Sequence, residues 1–340
     1  MTDGFPDQGG ASAAVPLTAP ADLATGDNVA TSSSQALLDG EAPAGASVGL
    51  RGERSAIRQD ASWRMIVRAF VENKLALVGL IMVVAVALFC FVGPLLWHTN
   101  QINTNLFLVN KSPSAAHPLG TDDLGYDVLG RLMAGGQSSL EVGLAVALAS
   151  TGLGVLYGVI SGFAGGITDA VLMRFVDIVL AIPVVYLFID LASEFKPTLL
   201  LLILVLSLLS WMGPARLVRG ETLSLRVREF VEAVKTMGGR SGRIIARHLV
   251  PNTMGTIAVN ATFQVADAIL TLAVLSYLGF SLPPPTATWG GMLENGVNFL
   301  YDGYWWEIYP AGVLIVLTVV AFNFIGDGLR DSLDVRLQRR

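Results

Sequence analysis

Arg226-Val-Arg-Glu-Phe-Val-Glu-Ala-Val-Lys-Thr-Met-Gly-Gly-Arg-Ser-Gly-Arg-Ile-Ile-Ala-Arg-His-Leu-Val-Pro-Asn252 is a polar, basic island between two long apolar runs. Phe230, Val231, Val234 and Met237 recur at helical spacing among Arg228, Glu232 and Lys235, which predicts a short amphipathic helix. Gly238-Gly239 then breaks it. Ser241 stands where a cap for a second short helix belongs, one carrying Ile244 and Ile245. Pro251 marks where that helix ends or bends before the chain turns apolar again. A helix–turn–helix corner in such a setting is a rigid knob with an apolar face, suited to insertion into a groove of another protein. Amphipathicity alone leaves a second reading open, in which the loop anchors at lipid headgroups.

Outward from this island the chain is apolar. Of 340 residues, 53% are hydrophobic and only 14% charged, and the mean hydropathy is +0.59, which excludes an ordinary soluble protein. Six runs are long enough for a hydrocarbon core of about 30 Å at about 1.5 Å per residue: 75–97, 142–163, 170–192, 199–217, 253–280 and 308–325. The second is rich in small residues that let helices approach closely, and the third is broken by Pro183. None alternates as a barrel strand does. The fold class expected is therefore an all-α membrane protein of six transmembrane helices, within a domain spanning 75–330 and followed by a short tail, 331–340.

Charge sets the orientation. Of the 22 Lys and Arg, only Lys111, Arg131 and Lys196 fall outside the side that also holds the Arg226–Asn252 corner, so the corner and both termini are expected in the cytoplasm. Residues 1–50 contain no Lys or Arg and a single aromatic residue, Phe5, a composition that predicts a disordered cytoplasmic tail and not a signal peptide. From Arg51 the chain turns basic. Arg51, Arg54, Arg58, Arg64, Arg68 and Lys74, with Trp63, Ile66, Val67 and Phe70 on one face, read as an interfacial helix over 51–74.

Several side chains stand out. His117, Asp122, Asp123 and Asp127 crowd a turn-rich loop; their spacing fits no strong metal-ligand pattern, and capping explains them better. Asp169, Arg174 and Asp177 lie within about two turns of one helix, where Arg174 and Asp177 can pair at i,i+3 as an ion pair near the membrane boundary. Thr168 or Asp169 is expected to cap that helix. Asp267, near Gln264 in the fifth run, is an acid at membrane depth and, with Gln264, a candidate either for lining a translocation path or for hydrogen bonding to a neighbouring helix; Asp190 sits near a span's end. Trp289, Tyr301, Tyr304, Trp305 and Trp306 around Pro283–Pro285 read as an outer aromatic belt. The lone Cys90 forms no internal disulfide or cysteine metal site. No Lys follows a Gly, so a Gly-Lys-Ser/Thr phosphate loop does not exist; no His-Glu-x-x-His pair occurs, and no Gly-x-Ser-x-Gly elbow stands out. No catalytic constellation is credible.

Glu232-Ala233-Val234, Gly238 four residues on, and His248-Leu249-Val250-Pro251 after nine more resemble the EAA loop of ABC-importer permeases, with Val234 for the second Ala and His248 for Ile. The His form is that of the dipeptide/oligopeptide/nickel branch. Asn73-Lys74-Leu75-Ala76 resembles the branch's opening of the first span, and His117-Pro-Leu-Gly-Thr-Asp-Asp-Leu-Gly-Tyr-Asp-Val-Leu-Gly-Arg-Leu132 its loop signature, with Tyr126 where Arg is usual and Gly130 where Ser is usual. Asp169 through Pro183, Leu278 through Gly290 and Asn323 through Arg336 resemble further segments, so the likeness covers about 60–337.

The resemblance implies a permease subunit without an ATPase site, in a bacterial inner membrane. Its partners would be a second homologous permease, two ATP-binding subunits that carry ATP and Mg²⁺, an extracytoplasmic substrate-binding protein and the bilayer, with no nucleic acid. Glu232, Ala233, Val234, Gly238, Gly239, Ile244, His248 and Pro251 would form the coupling helix that docks on the ATPase, and His117, Asp122 and Asp127 would lie near the binding protein. Short peptides are the implied cargo; nickel or another solute shares the scaffold. An ion-coupled secondary transporter or channel is the alternative, but it needs embedded coupling acids and often an inverted repeat, and Asp267 is the one candidate acid, with no clear repeat.

Overall fold

A computed structural model of the chain describes residues 67–183, 186–187, 190, 194 and 197–338. The expected tail, 1–50, and most of the basic segment 51–74 lie outside the described residues; the end of that segment is helical over 67–72. Among the described residues there is no strand, only an isolated bridge between Thr121 and Asp127. The main helices are α1 (Lys74–Phe91), α2 (Val128–Ala164), α3 (Gly166–Leu180), α4 (Leu199–Leu225), α5 (Glu229–Thr236), α6 (Ser241–Phe280), α7 (Trp289–Val297) and α8 (Tyr309–Gln338). Five segments are long and apolar enough to cross a membrane: α1, α2, α4, α6 and Trp305–Leu333, which is mostly α8. The third expected span, 170–192, begins in α3 and continues into residues that are only partly described.

Caps fix where the helices start. The Asn73 carboxamide oxygen accepts from the N–H of Leu75 and Ala76 at 3.0 and 3.2 Å, opening α1. The Asp127 carboxylate accepts from Gly130 N–H at 2.9 Å and opens α2. α3 differs from expectation: its cap position is Gly165, without a side-chain cap, and neither Thr168 nor Asp169 caps it. The observed helices also outrun the apolar runs. α2 starts at Val128 and not near 142, α4 continues to Leu225 through a bend at Trp211, α6 starts at Ser241, and α8 runs to Gln338. Hydropathy marks only what lies at membrane depth; the polar ends are helical because their backbone bonds continue the same ladder.

Close packing follows from small residues. Gly154, Gly158 and Gly162, one turn apart on α2, face the second half of α4. A methyl group added at any of them would come within 2.9 Å of α4 backbone, at Ala215 N, Arg219 N and Arg219 O respectively. Gly79 of α1 likewise meets the Ala321 carbonyl of α8. The largest core cluster joins α1, α2, α6 and α7 through Cys90, Val128, Leu132, Ile269 and Trp289. Two of the tryptophans expected in an aromatic belt are interior anchors instead. Trp289 donates its indole N–H to Leu132 O at 3.0 Å, and Trp306 donates to Thr121 O at 3.2 Å. Burying an indole is favourable once its one donor is satisfied. Tyr301 and Trp305 do face outward.

Candidate functional site

The corner is built at the C-terminal end of α2. Val231 of α5 and Ile244 and Leu249 of α6 are fully buried together, with Phe163, Leu225, Val234 and Ile245 packed around them. α5 carries Glu229 and Glu232 in its first turn and Lys235 in its last, each favourable to the helix dipole. It stops in a Schellman turn: Gly239 N–H donates to Val234 O at 2.9 Å and Gly238 N–H to Lys235 O at 3.0 Å, with Gly238 at φ +78°. The apolar stripe divides. Val231 and Val234 turn inward, whereas Phe230 is 40% exposed and Met237 77%. The expected apolar face therefore has an inner half that fastens the corner and an outer half left bare.

Of the expected docking residues, Glu232, Ala233, Gly238 and Pro251 are exposed, Gly239 and His248 are half-buried, and Val234 and Ile244 serve the inner cluster. Ser241 is not the cap of a separate short helix. Arg240 holds the cap position, without a side-chain bond, and the chain passes through a π-helical turn over Ile245–Leu249 straight into the span. Pro251 follows just after that turn and, lacking an N–H, cannot continue the regular hydrogen-bond ladder at its own position.

The corner is tied to the bundle by charge as well. Arg226 donates to Gly162 O at 3.0 Å, and the Lys235 ammonium lies 5.4 Å from the centre of the Phe163 ring. The acids of α3 find partners that local spacing did not suggest. Arg219 of α4 grips Asp169 with two hydrogen bonds of 2.6 Å, and Ser161 donates to the same carboxylate at 2.5 Å. Those bonds from Arg219, before any other cause, hold the Asp169 carboxyl below its ordinary value. Arg216 pairs with Asp177 at 2.5 Å. The expected Arg174–Asp177 pair does not form, and Arg174 has no ion pair among the described residues. The bend in α4 swings Arg216 and Arg219 over α3, a contact 39 and 50 residues distant in sequence that no local signal reports.

At the opposite end of α2, the Asp122 carboxylate accepts from Leu124 and Tyr126 N–H at 3.0 and 2.8 Å, and His117 Nδ1 lies 2.9 Å from Asp127. Burial pushes the Asp122 carboxyl up to about 6. Asp127 is buried and committed to its cap, so it offers a partner no surface; His117 and Asp122 remain partly exposed. Tyr126, the departure from the usual Arg, lies under the Arg131 guanidinium at 4.3 Å and donates to Ile102 O. Gln264 and Asp267 separate: Gln264 is buried against α4, its amide 3.4 Å from Ser210 O, while Asp267 faces out of the bundle beside Leu270 and Val274.

Residues 154–339, which hold the corner and the spans around it, match the family model described as "Binding-protein-dependent transport system inner membrane component", and residues 62–113 match "N-terminal TM domain of oligopeptide transport permease C". The chain belongs to this family of ABC-importer permeases. It is 39% identical over 297 residues to "Oligopeptide transport system permease protein OppC" of Bacillus subtilis (strain 168), covering 87% of this chain and 97% of that protein. With "Dipeptide transport system permease protein DppC" of the same organism the identity is 39% over 83% of this chain and 86% of that one. With the OppC protein of Escherichia coli (strain K12) it is 38% over 83% and 94%. As a permease of this family, the chain is a multi-pass membrane subunit.

Proposed function

We propose that this permease forms, with a second homologous permease, the path by which a bacterial importer takes up short peptides. An extracytoplasmic binding protein delivers the peptide, and two ATP-binding subunits bearing ATP and Mg²⁺ drive the cycle from the cytoplasmic side. The observation that carries the reading is the divided corner, with Val231, Ile244 and Leu249 locked inward and Glu232, Met237 and Gly238 presented outward. The distribution of Lys and Arg supports cytoplasmic termini and a cytoplasmic corner. The names of the Bacillus subtilis and Escherichia coli relatives support oligopeptides or dipeptides as cargo.

Closure of the ATPases on ATP displaces the corner, and the displacement is carried by α6, which runs from Ser241 to Phe280, about 60 Å at 1.5 Å per residue. Asp267, on the outward face of that helix, is then the candidate for lining the path between the two permeases. The test is peptide uptake by proteoliposomes holding both permeases, the ATPases and the binding protein. Uptake is expected only with ATP and all components. Uptake driven by an ion gradient, with no ATPase present, overturns the reading.

A further inference from the structure

A cavity of about 270 Å³ lies at the N-terminal end of α2, remote from the corner, between the Asp122–Asp123 turn, the Leu282–Thr288 loop, α7 and Glu307. Its wall is acidic: Asp122, Asp123, Glu294 and Glu307 line it, against the single cation Arg131. Arg131 is already committed. It donates to Pro285 O at 2.7 Å, lies 3.6 Å from Asp122 and stacks on Tyr126. Glu307 is only 4% exposed, yet neither of its carboxylate oxygens has a hydrogen-bond partner among the described residues, and one oxygen of Asp123 is in the same condition. Burial, and then the nearby Asp123 and Asp122, push the Glu307 carboxyl up to about 8, so the cavity keeps it protonated, and a cation placed against it would draw it into its charged form.

The size and lining select the ligand's class. A bare ion or one water needs about 15 Å³, far less than this cavity offers. Among the described residues no group of three acidic, His or Cys side chains converges well enough to hold a metal. The remaining wall is apolar, with Leu282, Pro283 and Met292. We propose that this cavity binds a small organic ammonium ligand, its cationic group against Glu307 and Asp123 and its apolar body against Leu282, Pro283 and Met292.

The full-length chain in lipid nanodiscs, without ATP or any other protein, is titrated calorimetrically with leucinamide and with N-acetyl-leucinamide, which keeps the body and lacks the cation. The outcome is thus independent of docking at the corner. Leucinamide is expected to bind at least roughly tenfold more tightly than the acetylated compound, the scale of one charge-assisted hydrogen bond. Glu307→Gln is expected to abolish that preference. If Glu307→Gln does not fold, Asn295→Trp at the exposed rim is expected to block the cavity with the same result. Equal affinity for the two compounds, no binding of leucinamide, or a preference that survives both substitutions overturns the proposal. So does binding of calcium ions alone in place of leucinamide, lost in Glu307→Gln, which would make it a metal site.

Discussion

Gly238 sits at φ +78° with open space around the position where a Cβ would stand, so its constraint is backbone conformation and not crowding. Gly238→Ala is expected to cost about 1–2 kcal/mol, the left-handed penalty for a residue with a Cβ, and Gly238→Asn less, because Asn tolerates that region. Thermal unfolding in detergent reads both; equal melting temperatures for the three proteins would mean the turn does not hold this conformation. Asp122 supplies a pH signature at the far end. Its carboxyl is raised from 3.8 to about 6 by burial, so the folded state binds its proton more tightly than the unfolded chain. The stability it contributes is present below about pH 4 and lost as pH rises through about 6. In Asp122→Asn that part of the pH slope should vanish, while the carboxamide oxygen can still accept the two backbone bonds of the turn. Melting curves of both proteins from pH 4 to 7 check this; parallel slopes contradict it.

Helices α2 and α4 meet along the Gly154, Gly158 and Gly162 stripe, where backbone approaches backbone. A single methyl group there must push the helices apart, so Gly158→Ala is expected to cost about 1–3 kcal/mol. Gly152→Ala, on the same helix but facing open space, should be neutral or slightly stabilising. Unfolding of the two variants separates them, and equal effects would mean that the stripe is not the contact. This stripe was visible in the sequence as small residues in a span, and Gly238 and Gly239 marked the corner's turn, because turn chemistry is local; the second short helix expected between Ser241 and Pro251 is instead the start of the span. The Arg219–Asp169 and Arg216–Asp177 pairs were not visible, because they depend on how a bent α4 crosses α3. Spacing within one helix suggested Arg174 instead, a partner one turn away but not the one the packing brings. Trp289 and Trp306 misled in a similar way: their surroundings in sequence look interfacial, but each indole finds a carbonyl in the interior.

At the scale of the whole molecule, α2 spans about 55 Å at 1.5 Å per residue. One end carries the corner, braced by Val231, Ile244, Leu249 and Arg226; the other carries the acidic cavity beside Glu307. The membrane class and most spans were legible from hydropathy, since lipid demands long apolar helices. The lengths of those helices were not, because their polar extensions leave no hydropathy signal. The central claim is that a separate ATPase grips this bundle at the corner. Cys90, the chain's one cysteine, is buried, so a cysteine introduced at the surface reports its own position. Met237→Cys and Tyr301→Cys, at sites 77% and 97% exposed on opposite ends, are placed in the assembled importer, labelled at the thiol with a short reagent carrying a photoreactive group, and irradiated. A cross-link to the ATPase subunit is expected from position 237 and none from 301; the reverse pattern, or no ATPase cross-link from 237 in a complex that still transports, would contradict the account.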